Sequence, residues 1–154
     1  RSGIQPTEAQ LEHQERFRQA VLYGRLVMAD PDLKEAYEQA AREKKKPIFS
    51  LTVADFFNAP IVDEVDLSAY GGASGDTIAV RAHDDFKVQR VLVVLSESNG
   101  EEIEQGEAVE TPANSGRWVY TATENTSANT TVRIGVTVFD QPGGSASTEY
   151  EKTL

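Results

Sequence analysis

Two hydrophobic periods divide the chain. Up to about residue 46, apolar residues recur every three or four positions. Phe17, Ala20, Val21, Gly24, Val27 and Met28 form one stripe, and Leu33, Ala36, Tyr37, Ala40 and Ala41 form a second. That spacing predicts two amphipathic helices joined as a hairpin. Thr7 followed by Gln10 has the capping-box pattern at the start of the first. In the second, Asp30 suits the cap, Pro31 the first helical position and Lys44 to Lys46 the negative end of the dipole, before Pro47 stops it. The run "SLTVADFFNAP" that follows reads as a short third helix, an apolar plug between the two halves. The β-branched pair Thr52 and Val53 leaves a strand open there.

From Ile61 the period becomes two. Ile61, Val65 and Leu67 share one side of "IVDEVDL", and Ile78, Val80 and Ala82 alternate with Thr77, Ala79, Arg81 and His83. Trp118, Tyr120 and Ala122 share a face, as do Val132, Ile134, Val136 and Val138. Turn signals ("GGASGD", "SNGEE", "QPGG") separate these runs. About seven short strands at this spacing predict an antiparallel β-sandwich.

One run departs from clean alternation. In "KVQRVLVVL", Val91, Val93 and Leu95 lie on one face while Val88, Leu92 and Val94 lie on the other. Only one face of a sandwich strand meets the core, so the second face needs a cover. A helical hairpin that cannot bury its stripe alone is the candidate. Burying about three aliphatic side chains this way contributes on the order of 4–8 kcal/mol before entropy. The expected helix–sheet interface is Leu92, Val94, Gly135 and Phe139, with Gly135 leaving room for close approach. The competing expectation is a binding surface for another chain.

The runs "GDTIAVRAHDDFKVQRVLVVLSESNGEEIEQGEA", "GRWVYTAT" and "VTVFDQPGG" resemble the bacterial immunoglobulin-like or fibronectin-III-like β-sandwich. "ADPDLKEAYEQAAREKKKPIFSLTVADFFNAP" is similar to the lead-in of short bacterial proteins of unassigned function that join a helical segment to one such sandwich. A departure is Gly144, where that family often carries Asn. The resemblance implies adhesion, spacing or ligand display, and the fold alone licenses no single function. The expected fold is α+β, an N-terminal helical hairpin packed on a C-terminal immunoglobulin-like antiparallel β-sandwich. The hairpin takes residues 1–47, the apolar connector 48–60 and the sandwich 61–154.

Charge and composition narrow the function. The formal net charge is −10, and it is unevenly spread. Residues 1–47 hold nine Lys/Arg against eight Asp/Glu, leaving six against seventeen for the remainder. An acidic sandwich repels phosphate backbones, so nucleic acid is not an expected partner. No apolar run approaches the roughly 18 residues of a membrane span. The absence of cysteine excludes disulfides and thiol chemistry. The first residue is Arg1 rather than Met, and the sequence assigns no compartment.

Candidate chemistry is sparse. Asp84 and Asp85 end one strand and Asp140 ends another, and an immunoglobulin-like topology brings those loops to one end. Three carboxylates there are candidate Ca²⁺ ligands, against the plainer reading that Asp accepts loop N–H groups. His13 and His83 have no spaced partner and read as surface residues. No nucleophile elbow or phosphate loop occurs, and no catalytic residue or cofactor is indicated. "REKKK" reads as a cationic helix end, and the sequons at Asn125 and Asn129 matter only in a eukaryotic secretory route. Trp118 and Tyr120 read as core rather than as a sugar-stacking platform. The resulting expectation is a non-catalytic module that binds protein or carbohydrate through its loops or its helical face. The alternative is a small carboxylate-dependent hydrolase at the acidic loop end.

Overall fold

The computed structural model describes residues 5–154. The chain is α+β, three helices followed by two antiparallel four-stranded sheets. It divides into two compact units, Arg1–Asn58 and Ala59–Leu154.

The helical unit contains α1 (Glu8–Ala29), α2 (Pro31–Lys44) and α3 (Ile48–Phe57). Its boundaries follow from the caps. Thr7 and Gln10 close a reciprocal box at the start of α1, and the Asp30 carboxylate accepts the N–H groups of Asp32 and Leu33 at the start of α2. Lys45 takes a left-handed φ of 56° to end α2. The "SLTVADFF" run is helical despite its β-branched pair, and Leu51, Thr52 and Asp55 are its buried positions. Packing of α1 on α3 depends on Gly24. A Cβ there would lie 2.6 Å from Phe49 Cε1 and 2.9 Å from Thr52 Oγ1. Of the sequence stripe on α1, Ala20, Gly24 and Val27 are buried, whereas Phe17 and Met28 are exposed at its rim. Phe17 and His13 stack on Phe57, and the Arg16 guanidinium lies over the Phe56 ring.

The sandwich unit has one sheet of β1 (Ile61–Asp66), β2 (Thr77–His83), β6 (Arg117–Thr121) and β5 (Val109–Glu110), in that order. The other sheet runs β4 (Glu102–Glu107), β3 (Val88–Glu97), β7 (Thr131–Asp140) and β8 (Ser145–Thr153). Ile78, Val80 and Trp118 from the first sheet meet Val91, Val93, Ile134 and Val136 from the second in one continuous core. Two bulges shift the faces that plain alternation predicts. Between Val62 and Glu64 the β1–β2 register slips, so Val62 joins Val65 and Leu67 against the core while Ile61 is 52% exposed. Between Val88 and Arg90 the β3–β7 register slips as well, and Val88 turns inward to the core instead of outward beside Leu92.

Leu92 and Val94 remain on the outer face of β3, half-buried, with Val94 opposite Gly135 and Leu92 opposite Thr137. Phe139 lies across from Arg90, whose guanidinium sits 4.4 Å from its ring centroid. Among the described residues, no helix is long and apolar enough to cross a membrane.

Candidate functional site

Asp140 is buried for a reason visible in β7. It continues the parity of Val132, Ile134, Val136 and Val138, so a carboxylate occupies the last inward position of the strand. Only 3% of the residue is exposed. Its Oδ1 accepts the N–H groups of Gly143 and Gly144 at 3.0 and 2.6 Å in the turn to β8. Asp84, directly after β2, brings a carboxylate oxygen within 4.8 Å of one of Asp140. Asp84 Oδ2 accepts only a long bond from the Phe86 N–H, at 3.4 Å. Among the described residues, Asp84 Oδ1 and Asp140 Oδ2 are buried without a hydrogen-bond partner. Asp85 is half-buried in the same turn and does not gather with this pair.

Burial, and then the charge of Asp84, push Asp140 above the ordinary carboxyl range, against the pull of the two glycine N–H groups. A buried carboxyl beside a second negative charge favours its neutral form, so Asp140 binds a proton more readily than a free aspartate. The folded chain therefore holds that proton more tightly than the unfolded chain does. Its stabilisation is complete below the free Asp pKa of about 3.9 and declines as pH rises through the higher folded value. Asp140→Asn keeps an acceptor for Gly143 and Gly144 and removes the charge. It is expected to raise the melting midpoint at pH 7 by about 3 °C, with the gain vanishing near pH 4. A lower midpoint at pH 7 would contradict the raised pKa of Asp140. Millimolar Ca²⁺ is expected to leave the wild-type midpoint unmoved, and a clear rise would put a cation between the two carboxylates instead.

The other sequence candidates take structural places. His83 is exposed, with Nδ1 2.7 Å from Asp63 Oδ2 on the paired strand, a partner that the bulge in β1 supplies. Trp118 and Tyr120 are core residues. The glycine-rich turn is held by Asp76 Oδ2, which accepts the N–H groups of Gly71 and Ala73. Asn125 Oδ1 accepts the Ser74 N–H in the same region, and Asn129 occupies a left-handed turn position at φ 69°.

Sequence reasoning missed three features. Glu104 on β4 is buried and accepts four hydrogen bonds, from the Tyr120 hydroxyl, the Thr123 N–H and hydroxyl, and the Glu124 N–H. Burial alone would raise its pKa, but these donors outweigh it and hold the carboxyl below its ordinary range. In the helical unit the hydroxyls of Tyr23 and Tyr37 are 2.6 Å apart, and Tyr37 donates to buried Asp55 at 2.5 Å. Burial, followed by these bonds, holds Tyr37 protonated beyond the usual tyrosine range. The third feature is the outer face of α1, where Leu11, Leu22 and Leu26 are 51%, 54% and 60% exposed. All three turn away from the buried Ala20, Gly24 and Val27.

No protein-family model matches the chain, and neither does any curated protein. Among solved structures it is similar to CopC from Methylosinus trichosporium OB3b at 14% identity, covering 60% of this chain and 89% of that one, with a TM-score of 0.44. A Br derivative of BhCBM56 matches at 19% identity over 54% of this chain and 85% of that one, TM-score 0.38. A conjugative transposon lipoprotein from Bacteroides eggerthii DSM 20697 matches at 13% identity over 60% of this chain and 93% of that one, TM-score 0.30. Likeness at this level assigns no ligand and no activity.

Proposed function

We propose that the protein is a non-catalytic binding module whose helical unit docks on a protein surface and whose sandwich is an immunoglobulin-like scaffold. Strand order supports the scaffold reading. With β1 to β8 taken as A, B, C, C′, D, E, F and G, the sheets run A-B-E-D and C′-C-F-G. The observation that carries the docking reading is the exposed leucine face of α1, because large aliphatic side chains grouped on one helix face mark interaction surfaces.

The hydrolase alternative fits the geometry less well. A general acid has to reach substrate, and Asp140 is almost wholly buried with one oxygen committed to turn N–H groups. Sugar stacking on Trp118 and Tyr120 is likewise disfavoured by their place in the core.

Photo-crosslinking in the native source tests the docking reading. A crosslinking residue at position 22 is expected to give a discrete protein adduct, whereas one at exposed position 42 on α2 gives none. No adduct at 22, or the same adducts from both positions, would contradict it.

A further inference from the structure

The outer face of α1 is more ordered than a loose hydrophobic patch. Glu8, Leu11, Glu15, Arg18, Leu22 and Arg25 follow one another at alternating spacings of three and four, and every one is exposed. These are the a and d positions of a heptad seam, diametrically opposite the face that packs in the helical unit. The seam is short, and only two of its six positions are apolar. Its charges therefore decide what can lie against it.

We infer that this seam pairs antiparallel with the same seam of a second copy of the chain. One register sets Leu11 against the second copy's Leu22, Glu15 against its Arg18 and Glu8 against its Arg25, and the two-fold axis repeats each layer. Every layer is then leucine on leucine or glutamate on arginine. A parallel pair would instead stack Glu15 on Glu15 and Arg18 on Arg18. Sliding the antiparallel pair by a heptad sets Leu22 against Arg18 in one direction and Leu11 against Glu15 in the other. In a pair of identical chains, residue order thus selects both orientation and register, the way charge placement does in coiled coils. Within one helix Arg18 lies 3.1 Å from Glu15, neighbours one turn apart along the seam. Residues 1–47 are close to neutral, with nine basic and eight acidic side chains, whereas the rest of the chain carries a net negative charge that two copies would oppose. Self-association through α1 places the near-neutral unit at the contact.

This inference rests on the docking reading and narrows it to one partner. Sedimentation velocity on the purified 154-residue chain tests it, at concentrations from about 5 to 500 µM, the range a small partly polar interface occupies. The mass is expected to rise reversibly from 16.9 kDa toward the dimer value. Arg18→Glu alone and Glu15→Arg alone each place like charges in two layers and are expected to weaken association at least tenfold. The double variant Glu15→Arg/Arg18→Glu restores opposite charges and is expected to recover wild-type association. Leu22→Asp is expected to abolish it, with unchanged helical circular dichroism showing that the unit still folds. A chain that stays monomeric throughout would overturn the inference. So would a dimer indifferent to Arg18→Glu, or a double variant no stronger than the singles. A monomeric chain that still crosslinks another protein from position 22 would overturn self-pairing alone, and a monomeric chain that crosslinks nothing there would overturn the docking reading with it.

Discussion

Glu104→Ala is expected to cost the sandwich about 3 kcal/mol, because it strands four donors that now meet in one carboxylate. The loss exceeds that of an ordinary surface glutamate since the bond from Tyr120 bridges the two sheets, from β6 to β4. Gly106 is part of the same arrangement. A Cβ there would sit 3.0 Å from Tyr120 Cε1, so the glycine leaves the ring room to reach across. Glu104→Gln retains an acceptor and is expected to cost about half as much. Because the folded carboxyl is held below its unfolded value, its stabilisation is present above about pH 4.3 and is lost as pH falls through the folded value. Chemical denaturation of Glu104→Ala and wild type at pH 7 and pH 3 checks both parts. The gap between them should be narrower at pH 3 than at pH 7, and an equal gap at both would contradict the charged network.

Gly24→Val is expected to destabilise the helical unit by about 3 kcal/mol. The nearest atom to a new Cβ is in Phe49, whose ring lies near the surface and can turn aside. Thr52 cannot follow. It is fully buried, and its hydroxyl donates to the Phe49 carbonyl at 2.7 Å. A β-branched side chain forces the α1–α3 approach apart, whereas Gly24→Ala meets the same atoms with one methyl and is expected to cost about 1 kcal/mol. Far-UV circular dichroism at 222 nm reports the helices directly. A Gly24→Val chain that melts like wild type would show that the close approach is unnecessary.

Much of the fold was legible in periodicity and punctuation, since those rest on local physics. The Thr7 box, the Asp30 cap, Pro31 and the alternating runs of β2, β6 and β7 all predicted elements that the chain forms. What strict alternation could not show was the bulges in β1 and β3, because an inserted residue is invisible until the partner strand is known. That is why Ile61 and Val88 were expected on the wrong faces. Candidate chemistry was legible only in part. The meeting of Asp84 with Asp140 followed from topology, and the burial of Asp140 was implicit in its parity with Val138.

Glu104 carried a weaker signal. A buried Tyr120 demands an acceptor for its hydroxyl, yet no spacing rule selects a residue sixteen positions away. The seam on α1 was hidden for another reason. Hydrophobic stripes draw attention to the face with most apolar residues, and a seam in which leucines alternate with paired charges scores as a polar surface.

The central claim is antiparallel self-pairing of α1, and pulsed dipolar spectroscopy tests its geometry most directly. Spin labels at Gln14, close to the two-fold axis, are expected about 10–20 Å apart in the dimer, from interaxial spacing plus a short axial offset. Labels at Ala29 are expected about 38 Å apart along the axis, at 1.5 Å of rise per residue. Short distances from both positions would mean parallel helices, and no distance from either would mean no pair at all. Both results would contradict the account.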